Sequence, residues 1–90
     1  MPTIRRRLLV SGRVQGVFFR DACKAQADLL GIRGWAKNLP DGRVEIVAEG
    51  EPNAVERLAR WCKDGSTRAK VSSVESTTEA PEGLGSFRSI

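Results

Sequence analysis

The chain has 90 residues, 40% of them hydrophobic and 29% charged, with a net charge of +4 and no histidine. That is room for one modest core and too balanced a composition for a disordered chain. The missing histidine removes the usual zinc ligands, the Ser-His and Cys-His nucleophile pairs and the commonest general acid.

Cys23 and Cys62 have neither CxxC spacing nor the density of a disulfide scaffold. No apolar run approaches the ~20 residues of a membrane span. The opening MPTIRRRLLV offers only three apolar residues after its arginines, too few for the core of a signal peptide. A cytoplasmic protein without membrane association is expected. Charge is uneven: residues 1–43 hold nine Lys/Arg against three Asp/Glu, and residues 44–90 hold six against eight. A basic front half suits an anionic ligand, although a solvated surface would look the same.

In chain order, residues 4–10 read as a strand, with Leu8 and Val10 on one face. Residues 11–17 are a loop set by Gly12 and Gly16. From Phe18 a helical period begins, with Phe19, Ala22, Cys23, Ala27 and Leu30 on one face, and Gly31 stops it. Residues 33–39 and 43–49 read as a hairpin around Pro40-Asp41-Gly42. In its second strand Val44, Ile46 and Ala48 alternate with Glu45 and Glu49, the pattern of a half-buried strand. Asn53 and Glu56 have capping-box spacing ahead of a helix whose face carries Val55, Leu58 and Cys62. Residues 69–78 form another strand in which Val71 and Val74 break alternation. Residues 79–85 are the loosest stretch, and 87–90 a short final strand.

The order β-α-β, β-α-β plus a short strand predicts an α+β ferredoxin-like sandwich: a mostly antiparallel sheet with two helices on one face, forming a single domain over residues 1–90.

The strand, glycine loop and helix start form an arrangement that aims free N–H groups and a positive dipole end at one place. Gly12 and Gly16 let the backbone curl and a ligand approach. Arg20, in the first helical turn, can clamp phosphate oxygens but opposes the helix dipole. Spacing alone leaves a phosphate cradle and a plain tight turn with a surface arginine both open. Asn38, just before the Pro-Asp-Gly turn, is a candidate site residue or simply a turn former. Trp35 reads as a core or helix-contact residue. Cys62 to Arg68 has the C-x-x-G-x-x-R spacing of cysteine-dependent phosphatases. Here, though, the cysteine closes a helix and the arginine opens a strand, the reverse of what that chemistry needs.

The stretch VSGRVQGVFFR from Val10 to Arg20, followed by Gly34-Trp-Ala-Lys-Asn38, Gly42-Arg-Val44 and Gly50, resembles the two signatures of the acylphosphatase family over nearly the whole chain. The resemblance implies the same α+β sandwich and hydrolysis of an acyl phosphate to carboxylate and inorganic phosphate. It implies that Arg20 and the loop amides of Val14, Gln15, Gly16, Val17, Phe18 and Phe19 hold the phosphate, and that Asn38 positions a water. No metal, cofactor or covalent intermediate is implied, and a monomer is expected. Two positions depart from the family pattern: Ser66, where many members have proline, and Ser89, in a final-strand position that is usually apolar. Both are expected to touch the last strand's stability rather than the site. The alternative is a non-catalytic binding or regulatory module for an anion or nucleic acid. With no Tyr and only three Phe, two of them beside the loop, the sheet lacks the stacking platform of an RNA binder.

Overall fold

The computed structural model describes residues 2–90. Its elements are β1 (Ile4–Arg13), α1 (Phe19–Leu30), β2 (Arg33–Asn38), β3 (Val44–Gly50), α2 (Pro52–Asp64), β4 (Lys70–Glu79) and β5 (Phe87–Ser89). The five strands lie in the order β4-β1-β3-β2-β5. All neighbours are antiparallel except β2 and β5. This is the α+β ferredoxin-like fold the element order predicts.

Alternation along the strands decides which side the helices cover. Register places Leu8 opposite Ile46 and Val10 opposite Val44, with Ala36 beside Ile46 on the next strand. These side chains are fully buried together with Phe19, Cys23 and Ala27 of α1 and Val55, Leu58 and Cys62 of α2. Helix α1 packs over β2 and β5, and α2 over β1 and β4. Gly31 ends α1 in the left-handed region, as expected.

Several local expectations are corrected. Helix α2 starts at Pro52 with Glu51 as its N-cap and no side-chain capping bond, so Asn53 and Glu56 form no capping box. Proline has no N–H to satisfy and its fixed φ suits the first helical position. Glu56 instead accepts a bond from Arg6 at 2.8 Å. Trp35 lies on the sheet face away from the helices, half-buried, with Arg7 5.6 Å and Lys37 5.0 Å from its ring centroid. The broken alternation of β4 has a cause in the pairing. Ser11 faces Ser73 and Gly12 faces Val71, so Ser72 is a bulge. The bulge restores phase, and Val71 and Val74 both pack against the core. Gly12 therefore serves the sheet rather than a ligand: at φ +122, a Cβ there would sit 2.2 Å from the Lys70 carbonyl oxygen.

The largest departure is Glu49. Expected on a half-exposed face, it is fully buried, as is Arg5 to within 4%. Arg5 Nη1 donates to Glu49 Oε2 at 3.0 Å. The same carboxylate accepts the backbone N–H groups of Glu82 (2.7 Å), Gly83 (3.1 Å) and Leu84 (3.0 Å). Arg5 also pairs with Glu79 at 2.9 Å and Glu82 at 3.3 Å. The stretch expected to be loosest is thus pinned by one buried carboxylate. Burial pushes the Glu49 carboxyl up, but the backbone donors and the guanidinium outweigh it and hold its pKa at about 2.

A carboxyl with a depressed folded pKa stabilises the fold above its unfolded pKa and loses that contribution as pH falls through the folded value. Stability should therefore decline from about pH 4.5 toward pH 2, by about 3 kcal/mol from this group. Glu49→Gln should lose a comparable amount at pH 7 and flatten that acid limb. Urea unfolding of both proteins from pH 2 to 7 checks it.

Candidate active site

Between β1 and α1 the chain turns through Val14–Phe18, and the buried side chains of Val14 and Val17 (1% and 5% exposed) anchor the turn from below. Gly16 takes φ +73, and no atom lies within 4 Å of where its Cβ would stand, so it is conformation and not crowding that calls for glycine here. Phe18, the residue preceding α1, also adopts a left-handed conformation, φ 60 and ψ 26, with its ring 70% exposed. An aromatic residue pays strain for that geometry. The first helical bond runs from the Ala22 N–H to the Phe18 carbonyl at 3.1 Å. The N–H groups before it have no intrahelical acceptor, which makes this terminus a place for an anion.

Side chains tie the turn to its neighbours. Gln15 Nε2 donates to the carbonyls of Leu39 at 2.8 Å and Arg43 at 3.0 Å, joining the turn to the β2–β3 hairpin. Ser66 Oγ donates to the Val17 carbonyl at 2.7 Å, joining it to the segment after α2. Arg20 Nη1 donates to the Ile90 main-chain oxygen. Ile90 is itself held by its N–H on the Ala36 carbonyl at 2.8 Å. Ser89 Oγ bonds Asp21 Oδ1 at 3.2 Å. The two serines expected to concern only the last strand therefore reach the loop and the residue after Arg20.

A cavity of about 320 Å³ opens at this end of the sheet. Val14, Gly16, Phe18, Phe19, Arg20 and Asn38 line it, so six of the eight residues singled out from the sequence meet there. Of the remaining two, Gln15 turns its amide to the hairpin and Val17 borders a neighbouring groove. Asp21, which the sequence reading passed over, also lines the cavity. Its position was legible: an acidic residue in the first turn offsets the unfavourable placement of Arg20 against the helix dipole. The hairpin turn is closed by Asp41, which accepts the Arg43 N–H at 3.1 Å and its Nε–H at 2.8 Å. Those bonds draw the Asp41 carboxyl below its usual range. Asn38 is thus not the residue that makes the turn.

Cys62 is fully buried, and contact with Cys23 together with burial pushes its thiol well above the ordinary range. An inert thiol on a helix face cannot act as a phosphatase nucleophile. Among the described residues no three His, Cys, Asp or Glu side chains are grouped to hold a metal ion. Among the described residues, no helix is long and apolar enough to cross a membrane.

A cavity that brings the start of α1, the Arg20 side chain and the Asn38 side chain to one end of the sheet belongs to an α+β sandwich of the ferredoxin-like class. The family model described as Acylphosphatase matches residues 6–89, and the chain belongs to the acylphosphatase family. It is 56% identical over 81 residues to the acylphosphatase of Rubrobacter xylanophilus, covering 90% of this chain and 74% of that protein. It is 47% identical over 90 residues to that of Thermococcus kodakarensis, covering 100% and 99%. The crystal structure of the acylphosphatase from Bacillus subtilis superposes with a TM-score of 0.94 at 41% identity, covering 97% of this chain and 98% of that one.

Gln15→Ala separates the loop's tie from its fold. Both hairpin carbonyls keep a backbone donor, Leu39 N–H on Arg43 and Gly42 N–H on Leu39, so the variant should lose only about 1 kcal/mol of stability. Its melting temperature should rise much less with inorganic phosphate than that of the wild type. An unchanged phosphate-induced shift in a thermal melt would show that the tie does not shape the anion site.

Proposed function

We propose that this chain hydrolyses acyl phosphates to a carboxylate and inorganic phosphate, without metal or cofactor. In this reading Arg20 and the backbone amides of residues 14–19 hold the phosphoryl group, and Asn38 orients the attacking water. The observation that carries it is the meeting of the loop, Arg20 and Asn38 around one cavity of about 320 Å³. Family membership supports the reaction class.

The leaving group explains why so little machinery suffices. A departing carboxylate has a conjugate acid of pKa roughly 4, so it leaves without a proton. An alkoxide leaving group would need a general acid, and the commonest one, histidine, is absent from this chain. The water oxygen bonds to phosphorus as the bond between phosphorus and the acyl oxygen breaks. The carboxylate takes the electron pair, and the proton of the water passes to the phosphate product or solvent. What remains is neutralising the equatorial oxygens and keeping attack in line. Arg20 is suited to the first because the Ile90 oxygen holds its guanidinium before any ligand arrives. Residues 1–90 act as one domain in this proposal, a cytoplasmic monomer taking a small-molecule substrate.

The two residues are predicted to fail differently. Arg20 meets the phosphate in ground and transition states alike, so Arg20→Ala should weaken phosphate inhibition and cut kcat by roughly 10²–10³. Asn38→Ala should collapse kcat while phosphate still inhibits with near-normal affinity. Activity of the wild type should persist in EDTA. Acyl phosphate hydrolysis and phosphate titration on folded variants provide the check. A folded Asn38→Ala protein with near-normal kcat removes Asn38 from the mechanism. A wild type that binds phosphate or nucleic acid but turns over no acyl phosphate makes the chain a binding module.

A further inference from the structure

Beside the phosphate cavity, a second depression of about 420 Å³ runs between α1 and the segment that follows α2. Phe18 lines both. Ala22 and Ala25 form one side of this groove, and Trp61, Thr67 and Arg68 the other. Trp61 is seated by its contact with Phe19, the two rings 5.3 Å apart and tilted by 52°. Ser66 also borders the groove, but its hydroxyl is already donated to the Val17 carbonyl. The groove therefore presents the methyl groups of Ala22 and Ala25 and the Trp61 ring, with Gln26, Thr67 and Arg68 as its polar groups.

Phe18 needs an explanation that folding does not supply. Its ring is 70% exposed and its backbone is in the left-handed region, at φ 60. A large apolar side chain held in strained backbone and turned to solvent gains nothing from the core. Its position on the shared wall gives it a use. In-line displacement sends the leaving group away from the attacking water. Asn38 stands at the end of β2, in the sheet layer, whereas the groove belongs to the helix layer, with Phe18 between them. With water approaching from the Asn38 side, the acyl group faces the helix layer.

We infer that this groove is an acyl subsite, receiving acyl groups with an extended apolar or aryl body across Phe18 and against Trp61. An acetyl group is too short to use it. The inference rests on the hydrolase reading above, and it makes Phe18, Trp61 and the α1 alanines determinants of substrate choice rather than of chemistry.

The test fills the groove from its exposed rims. Ala25 and Thr67 are both exposed positions outside the phosphate cavity, so Ala25→Trp and Thr67→Trp should fold, as circular dichroism and melting curves would show. Each is assayed with acetyl phosphate and benzoyl phosphate, with inorganic phosphate as inhibitor. Expected is a fall of at least tenfold in kcat/KM for benzoyl phosphate, with acetyl phosphate and phosphate inhibition within twofold of the wild type. If both substrates are turned over and their ratio stays put in both variants, the groove assignment is wrong while the hydrolase reading stands. If the wild type hydrolyses neither substrate, the hydrolase reading fails and the subsite falls with it.

Discussion

Val44 has a strand neighbour on each side, Val10 of β1 and Asn38 of β2, and the geometry of the cavity depends on that row. Antiparallel pairing of β1 with β3 delivers the end of β1, where the loop begins, to the level at which β2 ends. The loop and Asn38 come from segments some twenty residues apart, yet two strand spacings, about 10 Å, separate them across the sheet. Parallel pairing of β5 with β2 then carries the chain back to the same end, where Ile90 meets Arg20. No side chain has to reach far, because hydrogen-bonded register has already placed the backbones.

The loop is short and strained, and the structure holds it by polar ties rather than by bulk. Gln15, Ser66 and Arg20 fasten it to three different parts of the chain, while only Val14 and Val17 reach the core. Such ties fix positions without filling the cavity. The heaviest electrostatic investment lies at the other end of the sheet, where Arg5 pairs with Glu49 beside Gly50. The buried ion pair and the cavity thereby lie at opposite ends of the same strands.

Much of this was legible in the residues. Gly31, the Pro40-Asp41-Gly42 turn and the apolar periods of both helices placed most elements to within a few residues, and the two family signatures pointed to the cavity. What stayed hidden depended on partners far away in sequence. Glu49 looks like an outward strand residue until Arg5 and the 82–84 amides surround it. Ser72 looks like any strand serine until the pairing with β1 makes it a bulge. The capping-box spacing of Asn53 and Glu56 was overruled locally by Pro52, which begins the helix two residues earlier. Ser66 and Ser89 looked like minor departures because their acceptors, Val17 and Asp21, lie 49 and 68 residues away.

The two tryptophans stand on opposite layers of the sandwich. Trp35 is sandwiched by Arg7 and Lys37 on the open sheet face, and Trp61 borders the groove next to Phe19. The protein thus carries two native fluorophores with separate surroundings, and no tyrosine to blur them. Emission from Trp61 senses the groove beside α1, whereas Trp35 senses the open sheet face. With Trp35 replaced by phenylalanine, the remaining signal becomes a single-site optical readout of the helix layer, obtained without attaching any label.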